Sequence, residues 1–482
     1  MELKINNTLW REKQTFKPLN KEKWIWIYSC GPTVYWKPHI WNMRAYVFAH
    51  LLRNVLENIL WYKVTHVVNI TDVGHLTDDA DSGEDKLEKA SKQENKTAWD
   101  IAREYENIFF NYLKKLNLNF DIFPRATEHI QEQIQMVKTL EEKGYTYEIP
   151  EDWIYMDTSK VVNYWKLLPE GHLEWILACA RVQNDKKKNK TDFALWKFSP
   201  KDKKRQMEWN SPWWLGFPGW HIECSAMSSK YLGEQFDIHT WWIDHVPVHH
   251  TNEIAQSECA FWHEWVPYWL HNQFLNLKEW KMSKSLWNVI TLDDIEKKWI
   301  NPLSFKYFLY LSHYRNIQDF SWEDLQAANK AYEKLKHKLN WIVNNEKWII
   351  KKLTIEDIKR IYENKEIWWE LIDYLLDDLD TVKVIAGINK YLNKFKILSE
   401  EEKSKLLSLI KYLDDKVLKL DLFKEETKEI KIPQDIKELA EKRWEAKKEK
   451  NWELADKVRD ELLQKGYKIL DKKDWYEILP VK

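Results

Sequence analysis

The sequence predicts an α/β protein, a parallel sheet broken by an insertion and followed by a long α-helical region, on three observations. WIWIYSC at 24–30 is an apolar run ending in Cys-Gly-Pro, the pattern of a buried strand that enters a turn. From Asn42 the segment NMRAYVFAHLLRNVLENIL places apolar residues three to four apart among good helix formers, which specifies an amphipathic helix. KVTHVVNITDV then reads as a second, β-branched strand. Strand, helix and strand make a βαβ unit, the building block of a parallel sheet, with room for a nucleotide at the carboxyl ends of its strands.

At 482 residues the chain is long enough for roughly three hydrophobic cores. The first half of the sheet domain is expected over 1–117. Residues 118–228 read as an insertion of mixed short elements and contain the lysine-rich loop NDKKKNK at 184–190. The sheet resumes over 229–300, with QFDIHT as a strand and HHTNEIAQSECAFW as a helix. Beyond about 300, Lys/Glu/Leu-rich segments without strand alternation predict helices, divided into 301–345 and 346–430. A module over 431–482 is expected to hold a charged helix pair stopped by Gly466 and a short β-like tail.

No apolar run reaches the ~18 residues that span a bilayer, and the N-terminus lacks the apolar block of a secretory signal. A cytoplasmic protein without a membrane partner is expected. Cys30, Cys179, Cys224 and Cys259 are scattered rather than spaced as a disulfide framework, so reduced thiols or metal ligands are the better reading. With 75 basic and 76 acidic residues and a formal charge of −1, any RNA site must be a local patch.

One count is abnormal: 31 Trp stand against 10 Gly, where glycine alone ordinarily makes up about 7% of residues. Several Trp sit where a backbone turn is expected, as at Trp241–Trp242 between a strand and a helix and at Trp287–Asn288. A turn with positive φ accepts glycine without steric cost, whereas an indole adds bulk and apolar surface that an exterior loop cannot bury. The counts therefore predict that most of these Trp are glycine in the living protein, an opal codon read as glycine having been translated here as tryptophan.

Three constellations carry chemistry. PHIWN at 38–42 sits at the strand-to-helix junction, where free N–H groups and partial positive charge attract phosphate and His39 can add a donor; a solitary His at a helix start is more often a surface cap residue. KMSKS at 281–285 has two lysines able to follow negative charge onto a phosphate leaving group, although a basic surface loop would read the same. Cys30, Cys224 in PGWHIECSAM, and His249 and Glu253 in HHTNE form a potential metal set. His249 and Glu253, four apart, share a helix face, and two thiols, an imidazole and a carboxylate suit tetrahedral zinc. Buried free thiols and a surface His–Glu pair are the alternative.

PHI-x-N followed by KMSKS in an interrupted α/β sheet resembles the two signatures of class I aminoacyl-tRNA synthetases. YSCGPTVY, NITDV, SPW-x-x-G-x-PGWHIECSAM, FDIH-x-x-x-x-D, HH-x-NEIAQSE, HYR-x-x-x-DFS and the tail KNWELADKVRDEL occur in the order found in cysteinyl-tRNA synthetases. The resemblance spans nearly the whole chain. It implies a Rossmann-like parallel-sheet catalytic domain, a stem-contact region over 301–345, a helical tRNA-binding domain over 346–430 and an anticodon-binding module over 431–482. Carried onto matching positions, it makes Cys30, Cys224, His249 and Glu253 ligands of one zinc ion. His39, Asn42 and Lys284, with Lys281, would contact ATP, which enters with Mg²⁺. Trp220 would line the cysteine pocket beside Thr71 and Asp244; Trp196, Trp209 and Trp213 also match true tryptophans of the family.

The implied reaction has two steps. The cysteine carboxylate attacks the ATP α-phosphate, giving cysteinyl adenylate and pyrophosphate, and the terminal adenosine of tRNA(Cys) then takes the acyl group. Pocket shape separates near-isosteres such as serine and cysteine only by ~10². Zinc accepts a thiolate far better than a hydroxyl, so no editing domain is expected. The family has glycine at Trp41, Trp214, Trp242, Trp280 and Trp287, and an indole at 41 would project where adenine approaches the helix start. Thr251 and Thr240 are milder departures, from a glutamate and a glycine. Two other readings are a ligase that joins cysteine to an amino-sugar, which the tail at 431–482 argues against, and an inactive RNA-binding relative, which real Trp at the ATP site would favour.

Overall fold

A computed structural model describes residues 1–20, 24–74, 85–169, 186–201, 204–278, 289–346, 350–424, 433–449, 451–471 and 476–480. Lys281 and Lys284 of KMSKS, with Cys179, Trp280 and Trp287, lie outside the described residues. The chain forms two compact units, Met1–Phe423 and Lys424–Lys482.

The first unit opens with an antiparallel hairpin, β1 (Lys4–Asn7) and β2 (Glu12–Thr15). β3 (Trp24–Ser29) leads through Cys30 into α1 (Ile40–Asn58), and β4 (Lys63–Val68) returns beside β3 in parallel. The expected βαβ unit is present, with α1 starting two residues before Asn42. A capping box sets that start: the Asn42 N–H donates to His39 Nδ1 at 3.3 Å and the His39 N–H donates to Asn42 Oδ1 at 3.2 Å. β4 ends at Val68, earlier than the eleven-residue run suggested. Asn69 and Thr71 leave the ladder and turn their side chains into the site.

α2 (Lys86–Glu94) and α3 (Ala98–Lys115) pack beside this unit. The insertion contributes α4 (Ile130–Glu142) and a four-stranded antiparallel sheet of β5 (Thr146–Glu148), β6 (Trp153–Met156), β7 (Phe193–Phe198) and β8 (Gly216–Pro218). Its core joins Ile134, Val137 and Trp196 to Ile222 of α5 (Trp220–Leu232).

β9 (Ile238–Trp242) then re-enters the parallel sheet next to β3, with Ile27 opposite Ile238 and Ser29 opposite Thr240. Trp241 and Trp242 are thus strand residues and not a turn: they pair with His271 and Asn272 of β10 (Tyr268–Asn272), and Trp241 is buried. Between β9 and β10 lie a π turn at Val246–His250 and α6 (Thr251–Phe261). The strand order is β10-β9-β3-β4. Because the sheet grows in opposite directions from β3, its switch point falls at the carboxyl ends of β3 and β9, the usual place for a ligand crevice in such sheets.

Short strand β11 (Leu275–Leu277) precedes α7 (Leu292–Lys297) and α8 (Pro302–Tyr310) and pairs in parallel with β12 (Gln318–Phe320). β12 lies in a stretch read as free of strands; three residues are too few for alternation to register. The rest is helical through α9 (Trp322–Glu346), α10 (Ile355–Glu363), α11 (Glu370–Leu376), α12 (Thr381–Asn393) and α13 (Glu400–Leu413).

In the second unit α14 (Gln434–Lys448) and α15 (Trp452–Gln464) pack with the hairpin β13 (Tyr467–Asp471) and β14 (Tyr476–Pro480). Ile436, Ala440, Val458, Leu462 and Ile478 form its core. Arg443 donates to both Asp471 oxygens at 2.8 and 3.0 Å.

Candidate active site and metal centre

Cys30 follows the last residue of β3, Cys224 lies one turn into α5, His249 lies in the π turn and Glu253 in the first turn of α6. The fold brings these four buried side chains together, one donor atom of each lying within 4.8 Å of the others. His249 Nε2 is 3.3 Å from Glu253 Oε1, and His239 Nε2 of β9 is 3.2 Å from Glu253 Oε2. A second buried set, Cys30, His239, His250 and Glu253, overlaps the first and shares Cys30 and Glu253 with it.

The electrostatics fit a cation. Burial pushes the Cys30 thiol well above its ordinary value, and the neighbouring Cys224 and Glu253 push the same way. Burial alone would also raise the Glu253 carboxyl, but His249 and His239 outweigh it and hold the group well below the usual carboxylate range. Burial would lower His249, yet Glu253 overrides it and pushes the imidazole up to about 10. Neither Glu253 oxygen has an aligned hydrogen bond among the described residues. A buried carboxylate so placed, beside two thiols, is a group whose desolvation a bound metal ion would offset. The cluster is therefore a buried group able to hold a metal ion.

Around it runs a polar scaffold. The Gly31 N–H donates to Asn69 Oδ1 at 2.8 Å, Asn69 Nδ2 donates to Thr71 Oγ1 at 3.1 Å, and the Thr71 hydroxyl donates to Glu223 Oε2 at 2.9 Å. Burial raises the Glu223 carboxyl to about 8, against the Thr71 hydrogen bond. Behind His250, an imidazole chain continues through His271 Nε2 at 2.7 Å to the Thr8 hydroxyl at 2.7 Å from His271 Nδ1.

Trp220, the first residue of α5, lays its ring 4.4 Å from His249 at 35°. Thr71 is buried in the scaffold, and Asp244 is exposed in the short turn after β9. His39 caps α1 on the other side of the crevice, and its ring meets Trp41 and Trp242 at 5.1 and 6.1 Å. The departures from the family pattern are accommodated. The Thr251 hydroxyl donates to the Val246 carbonyl at 2.7 Å across the π turn, and Thr240 Oγ1 lies 2.6 Å from Ser29 Oγ, which is 2.8 Å from His66 Nε2. Sequence reasoning missed His239, His250 and Glu223. The histidine in FDIH and the doublet at 249–250 gave no signal on their own, since neighbours in a strand point to opposite faces and neighbours on a helix diverge; register beside β3 and the π turn bring them to the site.

Residues 15–330 match the family described as tRNA synthetases class I (C) catalytic domain. A "Cysteine--tRNA ligase" of Treponema denticola is 40% identical over 98% of both chains. One of Thermococcus gammatolerans is 38% identical over 98% of both, and "Cysteine--tRNA ligase 1" of Burkholderia lata is 39% identical over 98% of this chain and 95% of its own. Among solved structures, Mycobacterium tuberculosis methionyl-tRNA synthetase in complex with methionyl-adenylate has the same fold, with a TM-score of 0.54 over 82% of this chain and 90% of that one at 12% identity. A catalytic-domain match over most of the chain, full-length relatives and a class I fold lead to one conclusion: the chain belongs to the cysteine-tRNA ligases, a family of class I aminoacyl-tRNA synthetases.

Proposed function

We propose that the protein activates L-cysteine with ATP and transfers it to tRNA(Cys), with Cys30, Cys224, His249 and Glu253 holding one Zn²⁺. The carrying observation is the buried gathering of two thiols, an imidazole and a carboxylate at the switch point of the sheet. Bound there, zinc supplies a soft Lewis acid that selects a thiol over a hydroxyl. His239 Nε2, 3.2 Å from the outer oxygen of Glu253, stands where the outer partner of a metal ligand would stand. Trp220 walls the pocket against His249, Thr71 sits beside it through Glu223, and Asp244 borders the substrate. His39 and Asn42 at the start of α1, with Lys281 and Lys284, take the ATP phosphates, and Mg²⁺ enters with the nucleotide. Residues 301–345 meet the acceptor stem, and 346–430 and 431–482 engage the rest of the tRNA. The full-length match of the relatives, tail included, favours tRNA over an amino-sugar acceptor. No helix of the described residues is long and apolar enough to cross a membrane, in keeping with a cytoplasmic enzyme.

Cysteine-dependent ATP–pyrophosphate exchange, tRNA charging and metal analysis test this together. Cys224→Ser is expected to lose bound zinc and at least ~100-fold of exchange; full exchange without metal would refute the reading. Exchange without charging would move the acyl acceptor from a ribose hydroxyl of the tRNA to an amine such as that of an amino-sugar.

A further inference from the structure

The helix ends of this molecule sort its tryptophans. α4 closes on Gly144 at φ +80°, where the Gly144 N–H donates to the Glu141 carbonyl at 2.8 Å and the Tyr145 N–H to the Leu140 carbonyl at 2.9 Å. α7 closes on Trp299 at φ +59° with the same pair of bonds, from Trp299 to Glu296 at 2.8 Å and from Ile300 to Ile295 at 3.3 Å. This is the Schellman arrangement, whose left-handed residue is ordinarily glycine. α6 closes on Trp262 in left-handed backbone at φ +64°, its N–H donating to the Glu258 carbonyl at 2.8 Å. A bulky side chain in left-handed backbone is a genuine outlier. Neither indole is repaid by burial, since Trp262 is 71% and Trp299 82% exposed. Lys143 over the Trp262 ring at 4.1 Å is a weak surface contact.

Trp196 and Trp269 behave differently. Both are strand residues with no exposure, and their indole N–H groups donate to the Trp214 and Val266 carbonyls at 3.3 and 3.0 Å, as buried tryptophan normally does. Trp41 and Trp242 satisfy neither pattern. Their rings stand 6.1 Å apart and both contact His39, and each buried indole N–H lacks an acceptor among the described residues. They fill the space beside His39 at the start of α1, whose Ile40 and Asn42 N–H groups donate to the Ile290 carbonyl and to His39 Nδ1.

We propose that in the protein made by its own cells residues 41, 242, 262 and 299 are glycine, whereas 196 and 269 are tryptophan. The opal triplet differs by one base from a glycine codon and by one from the tryptophan codon, so a reassigned reading accounts for both groups without any change in the gene. The residue assignment does not rest on the function proposed above.

Mass-spectrometric sequencing of peptides from the native-host protein tests the assignment independently of activity. Glycine at 41, 242, 262 and 299 with tryptophan at 196 and 269 is expected. Tryptophan at any of the first four, or glycine at either of the last two, overturns it. Glycine at the assigned positions with no cysteine-dependent exchange would overturn the proposed function and leave the assignment standing.

Discussion

Gly31 shows how closely the site is built at the scale of single residues. A Cβ on Gly31 would lie 1.3 Å from the Asn69 carbonyl oxygen, which is backbone and has no rotamer by which to withdraw. The same two residues are joined by the Gly31 N–H donating to the Asn69 side chain. Gly31→Ala is therefore expected to cost about 3 kcal/mol or more by overpacking and to separate Cys30 from Cys224, seen as a lower Tm together with weaker metal retention. An unchanged Tm would show that β3 can shift away from Asn69 freely. The sequence points to Cys30 through the CGP turn, but the need for glycine next to it comes from a segment 38 residues away.

At the scale of elements, the π turn before α6 decides which donors face the crevice. A π turn widens the helix and is often found at functional sites; here it places His249 and His250 on the same side as Glu253. The Thr251 hydroxyl stabilises it by donating to the Val246 carbonyl in a buried setting. Thr251→Val keeps the shape and removes that donor, and an expected loss of about 1–2 kcal/mol is read by denaturant unfolding. A stability equal to the parent would show that the turn is held by its backbone alone. From the sequence, the four-residue spacing of His249 and Glu253 is legible as one helix face. The widened turn is not, because an i+5 bond leaves no trace in hydrophobic periodicity. β9 illustrates the reverse case: Trp241 and Trp242 carry no turn chemistry, and pairing with β10 draws them into the sheet.

Across the first unit, buried polar ties fasten the segment after α13 to the sheet region. Lys306 of α8 is fully buried and donates to the Leu116 and Lys419 carbonyls at 2.9 and 3.3 Å. Asp414 accepts from the Leu420 and Leu422 N–H groups, and Tyr332 donates to the Leu420 carbonyl. Burial drags the Lys306 ammonium down to about 7 from 10.5. Because the folded value is depressed, the unfolded chain binds the extra proton between about pH 7 and 10.5, and stability climbs with pH across that window. The slope approaches ~1.4 kcal/mol per pH unit. Lys306→Met is expected to flatten the climb, as followed by Tm from pH 7 to 10; an unaltered pH profile would mean that other groups carry it.

The sequence by itself determined the α/β class, the βαβ start, the helical second half and the family, because periodicity and short motifs are local properties of a chain. It also exposed the tryptophan excess through composition alone. Tertiary structure decided which side chains meet. Cys30, Cys224 and the His249–Glu253 pair come from three separate segments, and His239 and Glu223 join them through strand register and helix phase. Only the folded backbone reveals which tryptophans occupy left-handed conformations, since φ at a helix end is set by the hydrogen bonds that close it.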